Sequence, residues 1–393
     1  MKTLRRFSLA IFFVALSLPH SFFAQDTIKQ KEENKDIHTF TFDHQLKTTS
    51  VKNQARTGTC WCFATVSFLE TELLRMGKGE YDLSEMFIVH STYPYKAENY
   101  VRQMGMANYG QGGQAHDVFN RLLKEGIVPE EAYTGRPGGE EKHNHNEMVA
   151  VTEGMLKTFA ANKAGKLSPL WLNAFNAVVD TYLGKLPVNF SYQGKNYTPE
   201  SFAKSLDINP ADYIELTSYN HHPFYSKFSL EIPDNWSRNE YYNLPIEELI
   251  TVIDNALKNG YSVVWDGDVS EHEFSQKKGY AVLPLKDWDE KSQAEKDEKV
   301  TKPEEEKKVT QQSRQLSFDN FSTTDDHLMH IVGLAHDQNN TNFYYTKNSW
   351  GTEQTNGGYI YLSRPYLELK TIAIMIHKNA LPKDIAAKLK IEN

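Results

Sequence analysis

Cysteine is almost absent from this chain of 393 residues: Cys60 and Cys62 are the only two. Being one residue apart, on a helix they would point about 200° from one another, a geometry that no disulfide bridges. The fold therefore has no covalent framework, and its stability must come from burial. A composition with 39% hydrophobic and 12% aromatic residues supplies enough apolar material for a large core. Basic charge is also in short supply. The formal net charge is -8, which argues against nucleic-acid binding, where a basic surplus is the rule. No haem-attachment, zinc or phosphate-loop pattern occurs, so neither a cofactor nor a metal is expected. After the N-terminus no apolar run approaches the roughly 20 residues of a membrane span, and stable membrane insertion is not expected.

The N-terminus does contain an apolar run. Lys2, Arg5 and Arg6 precede the stretch from Phe7 to Leu18, and a short polar break leads to Ala24. Basic residues, a short hydrophobic stretch and a small residue make residues 1–24 an expected secretory signal, and hence an exported, periplasmic or secreted protein. Residues 25–45 are polar and read as a loose arm, and 46–393 as the folded domain. An exported protein that keeps two unpaired thiols calls for a chemical role for at least one of them.

Along the domain, CWCFATVSFLETELLRM from Cys60 to Met76 lacks Gly and Pro and spaces Trp61, Ala64, Phe68, Leu69 and Leu73 as a helix with one buried face. QAHDVFNRLLKE (114–125) predicts a second helix. Residues about 138–245 read as a mainly helical insertion. PIEELITVIDNALKNG predicts an amphipathic helix stopped at Gly260, followed by the buried strand YSVVW. Residues about 276–316, crowded with Lys, Glu, Asp and Gln, read as a solvated insertion without chemistry. HLMHIVGLA, FYYTKNSW and GYIYLS then predict successive strands. A helical first part and a strand-rich last part give an α+β protein.

Two constellations could carry chemistry. In Gln54-Ala55-Arg56-Thr57-Gly58-Thr59-Cys60-Trp61, Cys60 falls at a helix start, where unsatisfied N–H groups and the macrodipole favour thiolate. Gln54 lies upstream, where its amide and the Cys60 backbone N–H could both donate to an oxygen that becomes negative during acyl transfer. In Asp326-His327-Leu328-Met329-His330-Ile331-Val332-Gly333, a strand supplies an imidazole, and Lys347-Asn348-Ser349-Trp350-Gly351 follows on a later strand. A thiolate needs an imidazolium beside it, and the Asn348 amide oxygen could hold the imidazole's tautomer.

On these motifs the sequence resembles the papain family of cysteine peptidases. QARTGTCW resembles its Gln-x5-Cys-Trp signature, DHLMHIVG its histidine strand, and KNSWG followed by GGYIYL its Asn-Ser-Trp-Gly stretch. The resemblance implies a papain-like fold, with a helical half carrying Cys60, a twisted β half carrying His327 and Asn348, and a cleft between them. It implies Cys60, His327, Asn348 and Gln54 as catalytic residues. Gly112 and Gly113 resemble the family's substrate-binding glycines, and Trp350 and Asp326 are assigned with them to the substrate-binding side. Gly333 stands six residues after His327, as the family pattern asks, which favours His327 over His330 as base. His330 and Cys62 read as packed core residues.

LSEMFIV, PFYSKFSLEIPDNW and NGYSVVWDGDVSE resemble the bleomycin hydrolase and aminopeptidase C branch, over roughly residues 45–385. That implies peptide substrates, aminopeptidase action and a homo-oligomer, a hexamer by resemblance, in which a C-terminal arm holds the substrate's amino group. The sequence ends LPKDIAAKLKIEN, which reads as short of that arm and leaves endopeptidase or dipeptidase action on the same site as the alternative. The branch is typically intracellular, so the export signal is a second departure. A non-catalytic peptide-binding protein on the same fold is the rival of another class. His143 with His145, and His221 with His222, read as exposed loop histidines without a third ligand. Asn235 and Asn339 begin glycosylation triplets.

Overall fold

The computed structural model describes residues 37–161, 165–297 and 302–392. The expected signal, residues 1–24, and residues 25–36 of the expected arm lie outside them.

The first strand, β1 (Thr41–Gln45), is followed by α1 (Cys60–Arg75), α2 (Glu85–Arg102), α3 (Ala115–Glu125), α4 (Asn146–Ala160) and α5 (Trp171–Leu183). A small hairpin, β2 (Phe190–Tyr192) with β3 (Lys195–Tyr197), leads to α6 (Pro199–Leu206). Three strands follow, β4 (Tyr213–Thr217), β5 (Lys227–Ser229) and β6 (Glu240–Asn243), then α7 (Ile246–Lys258) and β7 (Val263–Gly267). After β8 (Phe274–Ser275) and β9 (Tyr280–Ala281) come α8 (Gln293–Asp297) and α9 (Gln311–Asp319). The chain closes with β10 (His327–His336), β11 (Asn342–Lys347), β12 (Tyr359–Ser363), α10 (Arg364–Lys370), β13 (Thr371–His377) and α11 (Lys383–Leu389).

One 11-stranded sheet runs β5-β6-β4-β13-β7-β10-β11-β12-β9-β8, with β1 added antiparallel to β10. Two cores flank it. On one side α1 packs with α2, α3, Leu328, Val264 and Met375. On the other, α7 and α11 pack on Trp265, Met329 and Ile331. The alternation of Leu328 with Met329 and Ile331 between the two cores is the period of a strand covered on both faces. It explains why HLMHIVGLA reads as a nearly continuous apolar run.

Several expectations change here. Helix α1 is buried all round rather than on one face, from Cys60 to Leu73, because it lies between the helical half and β10. Its polar residues are matched internally: Ser67 Oγ bonds His330 Nδ1 (3.0 Å), and Glu70 accepts from Thr49 Oγ1 (2.5 Å) and the Leu83 N–H (2.9 Å). The insertion about 138–245 is helical only in its first part; Tyr213 to Asn243 supplies β4, β5 and β6 to the main sheet. The arm 25–45 is not loose throughout, since Thr41–Gln45 is a strand. The charged segment 276–316 is anchored at both ends. Tyr280–Ala281 joins the sheet, and Arg314, fully buried, donates to the carbonyl oxygens of Ser218 (2.8 Å) and Glu368 (3.0 Å).

His145 is buried rather than exposed, because its backbone and that of His143 hydrogen-bond Arg56 on either side of a bridge. His221 and His222 do have a third group nearby: Glu231 takes one bond from each, at 3.1 and 2.7 Å. These contacts pair the two histidines with a carboxylate on the surface. Among the described residues no helix is long and apolar enough to cross a membrane.

Candidate active site

Gln54, Gly58, Cys60, Gly112, Gly113, Asp234, Val269, Asp325, Asp326, His327, Leu328 and Trp350 line one cleft of about 320 Å³. The structure thus brings together seven of the eight residues assigned from sequence. The eighth, Asn348, sits behind His327 and is itself buried.

Cys60 is the first residue of α1, so its N–H has no carbonyl partner within the helix. Cys62 points away into the helical core, where its thiol donates to the Glu85 carbonyl oxygen (3.2 Å). His327 opens β10, and its Nε2–H donates to Asn348 Oδ1 at 2.8 Å. Asn348 is clamped in turn: its Nδ2 donates to Gln276 Oε1 (2.9 Å), and its Oδ1 also accepts the Ser349 N–H (2.7 Å). The Trp350 ring lies 4.9 Å from the His327 ring, centroid to centroid. His330, on the same strand, faces Ser67 and Phe68 of α1.

Gln54 is buried and fixed by three contacts. Ser349 Oγ donates to its Oε1 (2.6 Å), its Nε2 donates to the Thr57 carbonyl oxygen (2.7 Å), and its own carbonyl accepts from Thr57 Oγ1 (2.9 Å). An amide NH2 has two hydrogens, so one remains for an oxygen in the cleft. Gly113 lies against the Trp61 ring, where a Cβ would come within 3.1 Å of the ring, and Trp61 Nε1 donates to the Gln111 carbonyl (2.9 Å). These contacts fix the glycine pair relative to the nucleophile's helix.

The electrostatics differ from the expectation that the helix start lowers the Cys60 pKa. Only 8% of Cys60 is exposed, and burial pushes its thiol up to about 12, although a hydrogen bond from the Leu328 backbone works against this. Burial likewise pushes His327 down to about 4, against the hydrogen bond to Asn348. Neither group favours a lone charge here. Transfer of the thiol proton to the imidazole forms two opposite charges together, and their mutual attraction in a weakly screened cleft offsets much of the burial cost.

Sequence reasoning missed three residues. Gln276 lies in the segment assigned no chemistry, and nothing in its sequence context marks it. Asp325 adjoins the histidine motif, and Gln114 Nε2 donates to both of its oxygens at 3.2 Å. Asp234 lies within PFYSKFSLEIPDNW, a segment read only for its resemblance.

A cysteine opening a buried helix, in one cleft with a strand histidine that is held by the asparagine just after β11, is the papain-like arrangement. Residues 183–393 match the peptidase C1-like family, and residues 36–178 match the papain family of cysteine proteases. The chain belongs to the peptidase C1-like family. Aminopeptidase G of Lactobacillus delbrueckii subsp. lactis is 22% identical over 385 residues, spanning 87% of this chain and 84% of that protein. Aminopeptidase C of Listeria monocytogenes serovar 1/2a is 22% identical over 388 residues, spanning 88% of this chain and 83% of that protein. The crystal structure of PepW from Lactobacillus rhamnosis superposes with a TM-score of 0.70 at 19% identity, covering 89% of this chain and 84% of that one, and shares its fold.

Proposed function

We propose that this chain is a cysteine aminopeptidase of the bleomycin hydrolase type, with Cys60 as nucleophile and His327 as base. The observation that carries the reading is the 2.8 Å bond from His327 Nε2 to Asn348 Oδ1, on the wall of the cleft that also holds Cys60. An amide oxygen can only accept, so the imidazole proton sits on Nε2, and Nδ1 is left with the lone pair that takes the thiol proton. The sulfur then attacks a peptide carbonyl, with the Gln54 side chain and the Cys60 N–H donating to the oxyanion. His327 returns its proton to the leaving amine, and water hydrolyses the thioester.

Aminopeptidase action is supported by the curated relatives, which carry that name along most of their length. The described C-terminal residues belong to the far core, where Ile385, Ala386 and Leu389 pack with α7, and none of them lines the cleft. Export rests on the N-terminal segment from Lys2 to Ala24, and hexamer formation on the family resemblance; cell fractionation and sedimentation velocity respectively check them.

The test of the central reading is Cys60→Ala. It is expected to abolish hydrolysis of aminoacyl 7-amido-4-methylcoumarin reporters while the melting profile stays cooperative. Undiminished hydrolysis by that variant refutes it.

A further inference from the structure

We propose that Asp234 is the receptor for the substrate's terminal ammonium group. This inference deepens the aminopeptidase reading and rests on it. Asp234 lines the same cleft as Cys60 and His327, and its carboxylate lies so close over Gly112 that a Cβ there would collide with it. The side chain fills the space beside the glycine that a longer peptide chain would need. A substrate whose chain ends at that point meets a carboxylate in place of a wall.

The carboxylate is held ready. Asn235, next to it, is buried; its Nδ2 donates to the carbonyls of Leu230 (3.0 Å) and Asn239 (3.0 Å), and its Oδ1 accepts the Asn239 N–H (2.9 Å). Those bonds close the Asn235 amide to glycosylation in the folded chain and fix the turn that presents Asp234. Trp236 adds a further anchor, donating to Asp117 Oδ2 (2.8 Å) and accepting from Asn99 Nδ2 (2.9 Å) at its carbonyl.

The neighbouring acids are already committed. Asp117 Oδ2 takes Trp236 Nε1 and the Gln114 N–H, both Asp325 oxygens take Gln114, and Asp326 takes Thr324 Oγ1 (2.8 Å). Asp266 is buried, and burial with the neighbouring Asp325 charge holds its carboxyl well above the usual range. Asp325 itself is pushed up to about 7, first by burial and then by Asp234. These two contribute little charge at lower pH.

Asp234 Oδ1 accepts from Asn108 Nδ2 (2.9 Å), while its Oδ2 has no donor among the described residues. Lys96, the nearby cation, gives its Nζ–H groups to the carbonyl oxygens of Gly110 and Gly112 and forms no ion pair with Asp234 among the described residues. Burial, opposed by Lys96, raises the Asp234 carboxyl above its ordinary value. Its charge is incompletely compensated, and an arriving ammonium supplies what is missing.

The experiment compares alanyl, leucyl, lysyl and arginyl 7-amido-4-methylcoumarin with their N-acetyl forms, using the full chain and its Asp234→Asn and Asp234→Glu variants. The wild type is expected to prefer the free amines. In Asp234→Asn, kcat/KM for the free amines should fall on the order of 100-fold, mainly through KM, as when one partner of a desolvated charge pair is removed. The acetylated reporters should be cleaved no more slowly than by wild type. Asp234→Glu should keep the preference at a reduced rate.

Alkylation of Cys60 by iodoacetamide at the wild-type rate shows that the variant's site is intact. Should Asp234→Asn not fold, Gly112→Ala decides, because its added Cβ displaces the carboxylate and must shrink the same preference. Amine preference retained by Asp234→Asn, or an equal fall for free and blocked reporters, overturns the inference and leaves the aminopeptidase reading standing. So does a loss confined to lysyl and arginyl reporters, which would mean that Asp234 reads a side chain. A wild type that cleaves blocked and free reporters equally sinks the aminopeptidase reading, and the inference with it.

Discussion

Asn348 holds His327 through a single 2.8 Å hydrogen bond to Nε2 and is itself oriented by Gln276 and the Ser349 N–H. That bond selects the tautomer in which Nδ1 can accept the thiol proton. Asn348→Ala removes the acceptor and lets the ring rotate. We expect kcat to fall on the order of 100-fold with KM little changed, a part of the 10²–10⁴ that acid–base catalysis supplies. Steady-state kinetics on an alanyl reporter checks this, and an unchanged kcat would remove Asn348 from the mechanism.

Gln276 acts one step further out. Its Oε1 accepts from Asn348 Nδ2, and its own Nε2 donates to the Tyr359 carbonyl (3.1 Å), which ties the Asn348 amide to β12. Gln276→Ala should free the Asn348 amide to flip and lower kcat about tenfold, the scale of one lost neutral hydrogen bond. Gln276→Glu keeps the acceptor and should recover most of that loss. Were both variants equally slow, the contact would matter only for packing.

The sequence made much of this site legible, for chemical reasons. Cys60 beside Trp61, His327 opening an apolar run and Asn348 before Ser-Trp-Gly are local patterns, because each side chain is positioned by the element it starts or ends. Strand β10 was readable because burial on both faces leaves a continuous apolar stretch. Gln276 and Asp234 were not readable, since each reaches its partner only through tertiary contacts, Gln276 on the turn after β8, far from Asn348 in sequence, and Asp234 on a turn folded over Gly112. Helix α1 showed the opposite failure. Ser67, Glu70 and Glu72 gave it a solvent face in sequence, yet those polar groups are satisfied internally, by His330, Thr49 and Arg75. At Cys60 two influences oppose one another: a helix start favours negative charge, while burial of the same sulfur pushes its thiol up.

The two cysteines should separate function from stability. Cys62 is fully buried and its thiol donates to the Glu85 carbonyl, whereas Cys60 reaches the cleft. Cys62→Ala is expected to keep reporter hydrolysis within about twofold of wild type and to cost about 1–2 kcal/mol of stability through a small cavity and the lost thiol hydrogen bond. Urea unfolding followed by tryptophan fluorescence measures the second effect. A Cys62→Ala protein that folds normally yet has lost hydrolysis would reverse the assignment of the nucleophile.

The pH dependence of the sulfur's reactivity tests the coupled dyad directly. With burial holding His327 down to about 4 and the Cys60 thiol up to about 12, neither group changes its protonation alone between those limits. Across that window the pair holds one shared proton, and the reactive thiolate–imidazolium form is a constant fraction of it. Alkylation of Cys60 by iodoacetamide, a neutral reagent, should therefore run at a nearly flat rate from about pH 5 to 9, and fall only as His327 takes up a proton of its own near pH 4. In His327→Ala the sulfur has no base and must ionise unaided, so the rate should start far lower at pH 5 and climb about tenfold per pH unit. If the wild type also climbs steadily with pH, with no plateau, the sulfur is an isolated buried thiol and the imidazole does not share its proton.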